Sequence, residues 1–324
     1  MAVKYTIQGL LIYAIIAAYF IAFVATLLRR RKTGTVAYLL GFLVGCATIA
    51  YRWVNVGHIP MQNLFEVFLL LGVLVFPISV FSQHFLHIGG IAGDMLIGVI
   101  VLFPAGFIFN AEPQQLPPAL QSWLFGPHVF VYMLSYVIMA KAAIQAGLLA
   151  DWRFIAGSVA AGIVGFIAAS FGLIDSPFGL IAVSFIAASI AGFIVEVVQL
   201  VIQRLGRPFN SDQVKKSIDN LLLPEEATYR MICVGFPLLT LGLITGSVWG
   251  QQAWGDWWGW DPKELWSLAS WLVYVGYFHF RYMFGKKHPR ANNTWAVVGL
   301  AVIIITLLWV NLSRLFPGLH SYAM

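Results

Sequence analysis

The chain has 324 residues, of which 60% are hydrophobic and only 10% charged, and its formal net charge is +6. A soluble domain carries about 25% charged residues, so a soluble enzyme and a nucleic-acid-binding domain are both excluded, and the positive excess is read as membrane topology. The two cysteines, Cys46 and Cys233, sit inside apolar runs and form no CxxC, which excludes a dithiol centre or a cysteine metal knuckle and leaves them as small buried hydrophobes.

A membrane-spanning helix needs about 20 apolar residues. Ten stretches meet that need, at 6–27, 36–54, 63–81, 91–109, 129–149, 153–173, 177–202, 229–248, 262–284 and 294–312. The pattern predicts an all-α, polytopic integral membrane helical bundle of about 10 transmembrane helices, one membrane domain over residues 1–324. The first run is long enough to span and ends in Arg29-Arg30-Arg31-Lys32, so it reads as a helix and not as a cleavable signal peptide.

Lys and Arg orient the chain. With the 29–32 cluster in the cytoplasm, alternate threading places fourteen of them on the cytoplasmic side. Only Lys4, Arg52, Lys263 and Arg314 fall outside, and Lys141 lies within a span. That bias is decisive for topology and puts both termini outward.

Between the spans, the outer loop 110–128 is rich in proline, too polar to cross, and delivers His128 to the mouth of the fifth helix. The loop 204–228 carries charges of both signs and reads as a solvated cytoplasmic connector. Stretches six and seven are rich in small residues, which let helices approach closely. Asn63 and Glu66 open the third span, where they either order the outer surface or cap a helix. Arg52 and Arg314, near the outer surface, are either bidentate partners for a propionate of a bound ligand or plain anchors; Lys141, Asp94 and Glu196 are candidates for internal pairs.

The most unusual stretch is Trp249 to Trp271, WGQQAWGDWWGWDPKELWSLASW, which holds seven of the twelve tryptophans together with Asp256, Asp261, Lys263 and Glu264. It is too polar and glycine-rich to face hydrocarbon. An interfacial aromatic belt places one or two tryptophans at a helix end, not a cluster interleaved with carboxylates. The composition instead suits a flat outward platform for a large planar apolar ligand with a polar edge.

Among the histidines, His128 and His320 both fall on the outer side, where they can flank this platform. Haem takes axial ligands from opposite faces, and a pair of neutral imidazoles serves; singly, each histidine reads as a polar helix cap. His279 alone lies inside a span, about 27 Å down the helix from Asp261 at 1.5 Å per residue. An ionisable residue at that depth is a functional hypothesis, set against a plain interhelical hydrogen bond. His58, His84, His87 and His288 read as loop residues.

WGDWWGWDPKELW, residues 254–266, resembles the tryptophan-rich "WWD" signature of haem-handling proteins. Gly235-Phe-Pro-Leu-Leu239, Asn63-Leu-Phe-Glu66, His128 with Ser135-Tyr136, and Gly318-Leu-His-Ser-Tyr322 extend the likeness to the CcsA (ResC) family of system II cytochrome c biogenesis. The resemblance spans most of 60–150 and 225–324 and implies that haem b is both bound ligand and substrate. It implies His128 and His320 as external axial ligands and as the residues acting in attachment, and His279 as an intramembrane ligand of haem in transit. Segment 249–271 becomes the external haem-binding segment, with Trp254, Asp256, Trp257, Trp258, Trp260, Asp261 and Trp266 as its contacts. Asp256 and Asp261 either hold the tryptophan loop or bind polar haem groups.

The family activity so implied is a cytochrome c haem lyase (synthase), which delivers haem across the membrane and joins it covalently to CxxCH motifs of an apocytochrome c outside. The implied partners are a CcsB/ResB-type membrane protein, which supplies the opposing intramembrane histidine, the apocytochrome and, indirectly, a thiol-reducing pathway. The membrane is a bacterial cytoplasmic or plastid thylakoid membrane, with the WWD segment on the periplasmic or lumenal side. The alternative reading is a haem exporter, or a system I-type haem-handling protein, without attachment activity. The family has about eight spans, so residues 150–203 are expected to be an additional transmembrane hairpin.

Overall fold

In a computed structural model of the chain, the described residues are 6–147, 224–284 and 287–309. They form eight long helices and no strand: α1 Ile7–Leu27, α2 Arg31–Val56, α3 Leu64–Phe85, α4 Ile91–Phe107, α5 Phe125–Gly147, α6 Pro224–Trp254, α7 Pro262–Phe284 and α8 Pro289–Ile304, the last running on into a π-helical turn. Each coincides with one of the predicted spans. The two remaining stretches, and with them the expected hairpin 150–203, lie outside the described residues, as do Arg314 and His320.

Six of these helices are long and apolar enough to cross a membrane. The chain is an integral membrane protein. α4 is shorter at 17 residues, and α7 carries the polar and aromatic residues that follow the tryptophan loop.

Two apolar cores meet on α3. One joins α1, α2, α3 and α4 around Ile12, Tyr19, Tyr38, Phe65 and Leu102; the other joins α3, α5, α6, α7 and α8 around Met139, Met231, Leu239, Tyr274 and Tyr277. In the first, Tyr19 fills a slot between Gly41 and Gly98, where any Cβ would stand within 2.6 Å of its ring. Small residues thus set the helix spacing, as expected where solvent cannot drive association.

Several charged side chains inside the bundle are paired. Lys141 of α5 binds Asp94 of α4, whose Oδ2 also accepts from Ser79 of α3. At the end of the bundle away from the tryptophans, Arg281 of α7 binds Glu225 at 2.8 Å and Glu226 at 3.2 Å, with its guanidinium 3.5 Å from the Tyr229 ring. The cysteines depart from expectation: Cys46 and Cys233 are both exposed on the outer faces of their helices. Within an apolar helix, the outward face is as hydrophobic as the core, so run composition does not tell the two apart.

Candidate functional site

The tryptophan stretch is not one flat segment. It comprises the last turns of α6, a short loop and the first turns of α7. The helix runs past its predicted end through Trp249 to Trp254, and Gly255 stops it at φ 86°, its amide donating to the Gln251 carbonyl at 3.0 Å. That left-handed position is one glycine takes without cost.

The next helix starts on a capping box built from Asp261-Pro-Lys-Glu264. Asp261 Oδ2 accepts from the Lys263 amide at 3.1 Å, and Glu264 Oε2 reaches back to the amides of Asp261, at 3.2 Å, and Gly259, at 2.9 Å. Proline at the first helical position fits this arrangement. Ser247 Oγ donates to the Trp257 carbonyl at 2.7 Å, so both ends of the loop are tied to helices.

Beside the loop lies a cleft walled by Met61–Leu64 before and in α3, by Phe125, His128, Tyr132 and Tyr136 of α5, by Gly246, Ser247 and Trp249 of α6, and by Trp258, Lys263, Glu264 and Ser267. Most of its lining is apolar and aromatic, with a few convergent polar groups, the usual make-up of a ligand site.

His128 is the best-defined group in it. Its Nδ1 lies 3.0 Å from the Gly242 carbonyl, which can only accept, so Nδ1 is the donor in this contact. Its ring stacks on Trp249, with centroids 5.9 Å apart and planes 18° apart, and meets Tyr132 edge-on at 5.1 Å. Trp249 is itself fixed by its indole donating to the Leu120 carbonyl and by an edge contact to Trp254.

The approach of α5 to α6 depends on Gly235, Gly242 and Gly246, whose spacing of seven and four residues puts them on one helix face. A Cβ on Gly246 would stand 2.5 Å from His128 Cε1.

Of the predicted site residues, the structure thus brings His128 and Trp258 to the cleft, with Trp254 behind Trp249. Trp257 and Trp260 turn their rings outward, 61% and 67% exposed, and Asp256 is exposed with them. Asp261 is buried as the helix cap. Trp266 contributes its carbonyl, which accepts from Ser270 and Thr306 and so ties α7 to the end of α8. His320 lies outside the described residues.

His279 is exposed on the outer face of α7, its Nδ1 2.9 Å from the Val275 carbonyl.

Arg52, whose role the sequence leaves open, is buried against Glu66 at 2.8 Å. Asn63 both caps α3, accepting from the Glu66 amide at 2.9 Å, and lines the cleft. The sequence does not single out Tyr132, Tyr136, Lys263 and Ser267 as cleft residues; Lys263 sits in the signature itself and Ser267 directly follows it.

The chain matches the model of the family described as cytochrome C assembly protein over residues 37–317. It is 33% identical to the cytochrome c biogenesis protein CcsA of Gloeobacter violaceus, over 98% of this chain and 96% of that protein. Against CcsA of Thermosynechococcus vestitus the identity is 34%, over 85% and 82% of the two chains, and against CcsA of Synechococcus elongatus 31%, over 89% and 86%. A helical membrane bundle whose tryptophan loop borders an imidazole-bearing aromatic cleft therefore has its place among proteins of cytochrome c biogenesis, which is haem-handling work: the chain belongs to the cytochrome c assembly protein family.

Proposed function

We propose that this chain delivers haem to the outer face of the membrane and, with a CcsB/ResB-type membrane protein, joins it to the CxxCH motif of an apocytochrome c. The observation that supports this reading most directly is the state of His128. An imidazole held at Nδ1 by a backbone carbonyl and set among the aromatic walls of a cleft is placed as an axial ligand of iron would be.

The chain's own residues divide the work. His128 binds the iron from one side, and His320, which follows α8 in the chain, binds from the other. Trp258 and the Trp249–Trp254 pair offer apolar faces to the macrocycle, while Trp257 and Trp260 present a hydrophobic surface to the acceptor. His279, exposed on α7 and far from the loop, binds haem on its way through the membrane, with the opposing ligand from the partner protein.

In attachment, each cysteine S–H adds across a haem vinyl C=C: sulfur bonds to one carbon, hydrogen ends on the other, and no net oxidation occurs. No acid–base pair is required of the protein, whose contribution is to hold the vinyl edge and the thiols together. One of the two axial histidines then yields to the histidine of CxxCH.

The test is co-expression of the chain and its partner with a CxxCH acceptor. Covalent haem on the acceptor, lost with His128→Ala, supports the reading. Haem that reaches the outer side without thioether formation would instead identify an exporter.

A further inference from the structure

Arg52 of α2 and Glu66 of α3 form an ion pair whose side chains are only 4% and 0% exposed. Neither lines the cleft. Two buried charges lose most of their attraction to desolvation, so an apolar pair of similar volume would hold these helices together as well. What an apolar pair cannot supply is the set of directed bonds around the ions.

Arg52 Nε donates to Glu66 Oε1 at 2.9 Å, and its Nη1 donates to the Ala111 carbonyl at 2.7 Å and to Gln8 Oε1 of α1 at 3.3 Å. Glu66 Oε2 accepts from the Gln62 amide at 2.8 Å. Gln62 Oε1 in turn accepts from the Leu116 amide at 3.1 Å, and Asn63 Nδ2 donates to the Glu112 carbonyl at 3.3 Å. The ion pair therefore ties the Met61–Leu64 wall of the cleft to α1, α2 and the loop 110–116 at once. Leu116 packs in the same small cluster as Leu120, Phe125 and Trp249, on which His128 stacks.

We propose that Arg52 and Glu66 are positioning residues of the outer haem site, holding the Met61–Leu64 wall and, through Gln62 and Leu116, the Trp249 surface in register with His128. The inference rests on the reading that the His128 cleft receives haem. It assigns no contact between either residue and haem, and it removes Arg52 from the propionate-binding role that the sequence left open.

The test uses the full-length chain co-expressed with its partner. The outer-site signal is defined as the wild-type spectrum minus that of His128→Ala, and its reduction potential is measured alongside thermal stability. The double variant Arg52→Met/Glu66→Met roughly keeps the volume and removes the directed bonds at residues outside the cleft, and Gln62→Ala, at the cleft wall itself, removes the side-chain link to the Leu116 amide. Both are expected to retain wild-type abundance and thermal midpoint, yet to lose outer haem by about tenfold and shift its potential, as outer-shell changes at metal sites do. Arg52→Lys, which keeps the charge but replaces the guanidinium fork by a single nitrogen, is expected to fall between.

A double variant with unaltered spectrum and potential overturns the inference. So does one in which protein, haem at His279 and outer haem fall together, because that is the mark of a purely structural pair. A wild-type protein without any His128-dependent signal refutes the functional reading itself, and the inference with it.

Discussion

His128 Nδ1 stands 3.0 Å from the carbonyl oxygen of Gly242, a residue 114 positions away on the neighbouring helix. The bond orients the imidazole, which stands edge-on to Tyr132 and stacks on Trp249. It exists because Gly242 and Gly246 let α5 come close to α6.

Gly246→Ala tests that dependence. Its methyl group would meet His128 Cε1 at 2.5 Å, and the ring, held between Trp249 and Tyr132, has little room to yield. The expected outcome is intact protein in the membrane with outer haem reduced at least about tenfold. The check is pigment per mole of purified protein; unchanged pigment would mean that the ring does not hold its place for haem.

Loss of His279 should act upstream. His279→Ala removes a side chain exposed on α7, so folding is unaffected and abundance stays at the wild-type level. Haem at the outer site should nevertheless be depleted, and haem supplied directly from the outer side should restore it. Normal loading in cells without such rescue would remove His279 from the route.

The capping box gives a local stability prediction. Asp261→Ala deletes the cap of α7 and frees the Lys263 amide, at a cost of about 1 kcal/mol. Glu264→Gln keeps a side-chain oxygen for the Gly259 and Asp261 amides and should cost less. Denaturation of the purified variants in detergent measures the difference. Equal losses would show that the box does not stabilise the start of α7.

The Lys141–Asp94 pair predicts the opposite of a site. Asp94→Asn or Lys141→Met alone leaves a buried charge without its partner and should destabilise by about 3–5 kcal/mol, whereas replacing both by apolar residues should be close to neutral. Haem loading of the double variant should match wild type. A stable double variant without haem would give this pair a functional role.

Much of the bundle was legible because a membrane span requires one long apolar run, and each of the eight long helices coincides with such a run. Helix ends were less legible. Composition ended the run near residue 248, yet α6 continues to Trp254, because its stop is set by the conformation of Gly255 and not by loss of hydropathy. The capping box at Asp261–Glu264 was written in the sequence as Asp-Pro-x-Glu, although among tryptophans it read equally as a ligand-binding group.

The long-range pairs were not legible. Nothing in the sequence points from His128 to a backbone carbonyl of residue 242. Arg52 and Glu66 stand fourteen positions apart on different helices, where the choice between an ion pair and a surface anchor depends on how α2 and α3 face one another. The histidine stood out by its place before the fifth span; only packing shows which carbonyl its Nδ1 meets.

The measurement closest to the central claim is the reduced-minus-oxidised absorption spectrum of purified wild-type protein and of His128→Gly, with and without added imidazole. The account predicts a haem signal in the wild type, its loss in the variant and its recovery when imidazole enters the space left by the side chain. A His128→Gly spectrum identical to wild type, without imidazole, would contradict His128 as the iron ligand of this cleft.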